Sequence, residues 1–381
     1  MEDLKSGSSV TRRAFLGALG TVGVAALSQA CRIGGINGTE PTAGSPSTLL
    51  PPELPLPTDT PIRAAPVGVP TTPTPVSLQG RVALVQTSDR ADGVRRALDL
   101  LGINPNQGKH VFLKPNFNSA DPAPGSTHGD VLRALVERLW DLGAGSITVG
   151  DRSGMGDTRS VMRSKGVFDL AGELGFETLV FEDLDADGWV RFDPPQGSQW
   201  DRGFAIARPC LEAEAIVQTC NLKTHRFGGH FTLSLKNSVG MAAKTIPGEG
   251  HNYMTELHNS PHQRSMIADL NTAYVPALVV LDGVEAFIDG GPESGTKFQP
   301  GVMLAGADRV ALDAVGVAIL RDLGTTDPVR RGPIFGQEQI ARAVELGLGV
   351  AHPEEITIVT EDTAGQAYAD KLRAILVGEG E

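Results

Sequence analysis

Short apolar runs rich in Val and Ile alternate along this chain with amphipathic stretches, and that alternation constrains the fold more than any other feature. Arg81 to Gln86 (RVALVQ), His110 to Leu113 (HVFL) and Ser146 to Val149 (SITV) read as strands. Between them, Asp92 to Leu101 places Val94, Leu98 and Leu101 on one helical face. Asp130 to Leu142 does the same with Leu132, Leu135, Val136 and Leu139. Further strands are expected at Thr178 to Phe181, Ala215 to Thr219, Ala277 to Leu281, Gly301 to Ala305 and Ile356 to Val359. Asp308 to Leu323 and Gln337 to Leu346 read as helices. The order predicts an α/β fold, with a largely parallel or mixed sheet flanked by helices. Residues 80–381 are long enough to build it as one large domain or as two close lobes.

In such sheets ligands gather beyond the carboxyl ends of the strands, and the polar residues of this chain follow strands. After HVFL comes Lys114-Pro115-Asn116-Phe117-Asn118. After SITV comes Gly150-Asp151-Arg152-Ser153-Gly154-Met155-Gly156, whose glycines permit unusual backbone angles and leave amides free to face an anion. After AIVQT comes Asn221 to Asn237, NLKTHRFGGHFTLSLKN, a cation-rich segment in a chain of formal net charge -12. Lys223 and His225 stand just past the expected strand, Gly228-Gly229 permits a tight turn before His230, and Lys236 and Asn237 close the segment. Lys223 and Lys236 suit a carboxylate or a phosphate, because an ammonium is a compact point charge with three donors. His225 can carry protons near neutral pH.

Two aspartates extend the set. Asp282 follows the run ALVVL, and Asp313 lies inside an expected apolar helix, where a carboxylate needs a partner such as Lys, Arg or a metal. Asp282 and Asp313 are therefore candidate ligands for a divalent cation, or orienting groups for a lysine. Asp308 reads as the cap of that helix. His258 and His262 have the i, i+4 spacing of metal ligands, but Pro261 falls between them. Ser260 as cap, Pro261 at the first helical position and Gln263 closing a capping box would start a helix there and leave His262 exposed.

The N-terminus carries a different message. Thr11-Arg12-Arg13-Ala14-Phe15-Leu16-Gly17 is similar to the twin-arginine export motif, and the apolar run that follows suits a signal peptide better than a bilayer span. Leu27-Ser28-Gln29-Ala30-Cys31 resembles a lipoprotein cleavage site, with Ser28 where Leu is usual, which marks Cys31 for lipidation. The alternatives are ordinary cleavage near Ala30 or an uncleaved signal. Residues 32–79 are rich in Pro, Ser and Thr without apolar periodicity, and are expected to be a disordered tether reaching on the order of 100 Å. The expected partners are thus the twin-arginine machinery, a membrane surface through Cys31, and an anionic small molecule, with the folded part extracytoplasmic. Net acidity and the lack of a basic stripe interleaved with aromatics argue against nucleic acid. Cys210 and Cys220 could pair or remain two buried thiols; they cannot alone hold an iron–sulfur cluster, which takes four ligands.

Taken in order, KPNFN, GDRSG, NLKTH, SLKNSVG, LDGVEAFIDGGP and DRVALDAVG resemble the domain of unknown function 362 family over roughly residues 81 to 360. The resemblance selects Lys114, Asn116, Asp151, Lys223, His225, Lys236, Asn237, Asp282 and Asp313, and implies no particular reaction. Some members of the family carry a cysteine-rich ferredoxin-like module; this chain lacks those clusters, so no iron–sulfur cluster is expected. The functional expectation is an exported enzyme in which Lys114, Lys223 and Lys236 hold an anion, His225 and Lys223 act catalytically, and Asn116, Asp151 and Asn237 complete the ligand site. The alternative is a lipoprotein that captures an anion or metal without chemistry.

Overall fold

The computed structural model describes residues 78–378. The segment expected to be a leader, Cys31 and the proline-rich stretch as far as residue 77 lie outside them. Twelve strands are formed: β1 (Arg81–Gln86), β2 (His110–Lys114), β3 (Ser146–Asp151), β4 (Glu177–Val180), β5 (Trp189–Phe192), β6 (Phe204–Ala207), β7 (Ala215–His225), β8 (His230–Thr232), β9 (Leu278–Phe287), β10 (Lys297–Phe298), β11 (Val302–Gly306) and β12 (Thr357–Val359). The α-helices are α1 (Arg90–Leu101), α2 (Gly129–Asp141), α3 (Thr158–Ser164), α4 (Val167–Leu174), α5 (Arg208–Glu212), α6 (Ser234–Asn237), α7 (Tyr253–Asn259), α8 (Gln263–Leu270), α9 (Arg309–Asp322), α10 (Asp327–Arg330), α11 (Glu338–Glu345) and α12 (Thr363–Val377).

Ten strands make one mixed sheet whose main path runs β12-β1-β11-β9-β7-β2-β3-β4. Strands β4, β3, β2, β7 and β9 are mutually parallel, whereas β11 runs antiparallel between β9 and β1. Strand alternation decides what covers each face. On one face Ala83, Val85, Val111, Leu113, Val280 and Met303 pack with α1 and α2. On the other, Val82, Leu84, Leu222, Leu281 and Leu304 pack with α9, α11 and α12. Farther along that second face, Phe112 and Ile216 are covered by the β5–β6 pair and by α7 and α8. Both faces of the central strands are therefore dry. The described residues form one compact unit, not two lobes.

Local signals account for several boundaries. Asp89 accepts the Asp92 amide at 3.0 Å and starts α1, which ends at Gly102 with a φ of 64°. Asp308 caps α9 through the Ala311 amide at 3.0 Å, and its second oxygen accepts from Val350 at 2.9 Å, tying the helix to the loop before β12. The expected helix start at Ser260 is not formed. Ser260 instead ends α7, Pro261 and His262 make a turn, and α8 begins at Gln263 with no side-chain cap. His262 is exposed there, and His258 lies on the preceding helix. Strand β7 runs six residues beyond the expected Thr219 because β9 and β8 continue to pair with it as far as Lys223 and His225. Cys210 and Cys220 are free and buried, in separate parts of the core.

Candidate functional site

Strand β2 leads through α2 to β3 on one side, and β7 leads to β9 on the other, so neighbouring strands β2 and β7 send their connections in opposite directions. A crevice opens at the carboxyl ends of strands at such a switch point. Here it is a cavity of about 440 Å³, within the range of small-molecule sites. Lys114 and Asn116 reach it from the end of β2, Asp151 and Arg152 from β3, Lys223 and His225 from β7, and Lys236 and Asn237 from α6. His258 on α7 completes the wall. The β7–β8 hairpin aligns Lys223 with Thr232 and His225 with His230, turning through Gly228 at a φ of 81°.

The floor is a buried ion pair. Lys114 Nζ lies 2.8 Å from Asp151 Oδ1 and also donates to Pro115 O at 2.5 Å and Asn237 Oδ1 at 3.3 Å. All three ammonium protons are used. Asp151 in turn accepts the amides of Phe117 and Arg152, each at 2.7 Å. Burial pulls the Lys114 pKa below its ordinary value and pushes that of Asp151 above, while their mutual attraction opposes both changes. With every donor and acceptor matched, the charged pair is the state this geometry fits. Lys114 therefore braces the site, where sequence reasoning made it a free anion contact.

Lys223 is also fully partnered, but by neutral groups. Its Nζ donates to Asn116 Oδ1 at 2.9 Å, Gly125 O at 2.5 Å and Pro292 O at 3.2 Å. Among the described residues it forms no ion pair, and burial, reinforced by Lys236 and opposed only weakly by Glu293, lowers its pKa to about 7. Asn116 and Asn237 link the two lysines, since Asn116 Nδ2 donates to Asn237 Oδ1 at 3.3 Å.

Lys236 is different. Although 8% exposed, its ammonium makes no hydrogen bond or ion pair among the described residues. Burial, with a contribution from Arg152, lowers its pKa to about 8. His225 is equally buried and its Nδ1 has no partner. Burial, then the neighbouring Lys236 and Lys223, hold its pKa well below the ordinary imidazole value, so the ring is neutral near pH 7. A methyl group added to Gly229 would lie 2.8 Å from Lys236 Cε and 3.0 Å from His225 Nδ1. The free ammonium stem and the free imidazole thus border the same small volume.

Arg152 and His258 are among the wall residues that were not selected from the sequence. Arg152 is buried, donating from Nε to Ala242 O at 2.8 Å and from Nη2 to Val239 O at 2.6 Å. Its position directly after Asp151 in GDRSG was the available signal. His258 Nδ1 lies 2.7 Å from Met254 O. A carbonyl only accepts, so Nδ1 carries the proton and Nε2 keeps its lone pair. From the sequence His258 is weighed only as half of a metal pair with His262, because helix α7 is not foreseen there.

The two candidate metal ligands are not brought together. Asp282 faces α1, where Arg90 Nε lies 2.8 Å from its Oδ2 and Arg90 Nη2 lies 2.9 Å from Glu285. Asp313 lies on α9, across the sheet, and accepts the amides of Ser234 at 2.7 Å and Leu235 at 2.9 Å. Burial raises its pKa to about 7, against the pull of those amides. Its partner is the start of α6, so it supports the segment bearing Lys236 and Asn237. Neither aspartate lines the cavity. Among the described residues no three His, Cys, Asp or Glu side chains gather as a metal site.

The family model described as domain of unknown function (DUF362) matches residues 111–318, a span that includes all nine polar positions singled out by resemblance. The chain belongs to the DUF362 family. It is also similar to the thylakoid-associated protein sll1697 of Synechocystis, with 24% identity over 261 residues that cover 66% of this chain and 75% of that protein. Among solved structures, the lactate racemase apoprotein of Thermoanaerobacterium thermosaccharolyticum overlaps 76% of this chain and 85% of its own, at 14% identity and a TM-score of 0.35. At that distance neither fold detail nor chemistry transfers.

Proposed function

We propose that this DUF362 protein is an enzyme acting on a small anionic molecule, a carboxylate or a phosphate, held at the carboxyl ends of β2, β3 and β7. The observation that carries the reading is Lys236, a largely buried lysine whose ammonium has no protein partner among the described residues, sharing one small volume with a neutral imidazole whose Nδ1 is also unpartnered. A cation largely withdrawn from water without a counter-charge is costly, and an anionic ligand reduces that cost. In this reading Lys236 contacts the anion and His225 transfers a proton as the general base. Lys223 adds positive potential and a pKa near neutrality, and Asn116 and Asn237 hold it in register with the Lys114–Asp151 pair. Export by the twin-arginine route and anchoring through Cys31 belong to the same proposal, supported by the residues 11–17 and 27–31 themselves.

The test is turnover of a panel of phosphorylated and carboxylated metabolites by the wild type and by His225→Gln. Anion binding retained with turnover lost is the expected result for the variant. Binding without turnover of any panel member by the wild type would reject the enzyme and leave an anion-capturing lipoprotein.

A further inference from the structure

The charge balance of the cavity deepens this reading and rests on it. Lys114, Arg152, Lys223 and Lys236 are all buried in its wall, and Asp151 is the single carboxylate that lines it. Asp151 is saturated by Lys114 and two backbone amides. Arg152 has lost most of its hydration to the carbonyls of Ala242, Val239 and Ser153, none of which carries a charge. After the Lys114–Asp151 pair is set aside, Arg152 and Lys236 remain as cations and Lys223 is partly charged near pH 7; Glu182 and Glu293 act on Arg152 and Lys223 from behind the wall, but no second carboxylate among the described residues lines the cavity to answer them. Lys244 adds another ammonium at the mouth, exposed to solvent.

Neutral acceptors satisfy the hydrogen bonds of Lys223 and Arg152 but not their fields, which persist across the few ångströms to the open volume. One negative charge would leave the wall positive. We infer that the natural ligand carries at least two negative charges, as a phosphate monoester or a dicarboxylate does, with one anionic group against Lys236. The organic part has a place as well. Phe227 and Met155, 51% and 41% exposed, are the most exposed apolar side chains of the lining and offer an apolar edge. Arg226 lies 4.4 Å over the Phe227 ring and carries its own ion pair to Glu293, so the aromatic face is braced from behind.

Calorimetric titration of the full chain with acetate, succinate, inorganic phosphate and phenyl phosphate at pH 7.5 tests this. The dianions should bind about tenfold or more tightly than acetate. Phenyl phosphate should exceed inorganic phosphate if Phe227 and Met155 receive the organic part. Preference for the phosphates or for succinate then tells the two anion chemistries apart, and either supports the inference. Acetate binding as tightly as every dianion would overturn it while leaving a single-charge anion site standing. No binding of any of the four would sink the anion site itself. Because the comparison is among ligands on one protein, it does not depend on any variant folding.

Discussion

Replacing Lys236 by Met should make the protein more stable and worse at binding anions. Lys236 is largely buried, its ammonium has no protein partner among the described residues, and its pKa falls from the ordinary 10.5 to about 8. At about 1.4 kcal/mol per tenfold change in proton affinity, that lowering corresponds to roughly 3 kcal/mol of burial cost carried by the folded chain. The sign follows from which state sheds the proton first. Below about pH 8 the folded and unfolded chains both hold it, and the cost is present in full. Between pH 8 and 10.5 the folded chain loses the proton before the unfolded one, so wild-type stability rises. Methionine keeps a similar length and apolar stem without the charge. The variant should therefore gain roughly 3 kcal/mol near pH 7, or about 5 °C in midpoint temperature for a domain of this size. That gain should shrink toward zero as pH approaches 10.5. Removing Lys236 also relieves Lys223, whose pKa it depresses, which acts in the same direction at neutral pH. Denaturant titrations of both proteins from pH 6 to 10.5, with no added anion, measure the difference directly. A variant less stable than the wild type at pH 7, or a gain that stays constant up to pH 10, would refute the reasoning.

Gly240→Ala should disrupt the floor of the site, because the new methyl would lie 2.5 Å from Asp151 Oδ1 and 2.7 Å from Lys114 Nζ. A loss of roughly 1–3 kcal/mol in thermal or chemical unfolding is expected, with weakened anion binding. Asp282→Asn should cost roughly 2 kcal/mol by weakening the buried contact with Arg90, yet leave anion affinity unchanged, since Asp282 faces the opposite side of the sheet from α9 and does not line the cavity. A large loss of affinity in that variant would return Asp282 to the site. Under the proposed export and anchoring, Cys31→Ser should abolish lipid attachment, read by intact mass, and release the protein from membranes; continued membrane retention would reject anchoring at Cys31.

The strand positions were readable because each central strand is apolar on both faces, and all eight strand segments expected from sequence fall on strands of the main sheet path. Short or polar elements were harder to see. Strand β8 has three residues and exists because β7 pairs with it, and α6 has four and is held by Asp313 from another helix. Pro261 suggested a helix start by its local chemistry, but packing of α7 and α8 placed it in a turn between them. In the site, residue type and strand-end position nominated Lys114, Lys223, His225 and Lys236 alike. Only distances separated their roles.

By itself the sequence determined the class of fold and the ends of the strands that carry polar side chains, because both depend on periodicity and on the order of segments along the chain. It also marked residues 221–237 as a cation-rich segment in an acidic chain. Which cation stays free was decided in three dimensions. Lys114 meets Asp151 at 2.8 Å and Lys223 meets three neutral oxygens, whereas Lys236 meets none. Asp282 and Asp313 are separated by the sheet for the same kind of reason. Partner choice depends on distances between segments far apart in sequence, and those distances are set by strand order and packing, which no local pattern encodes.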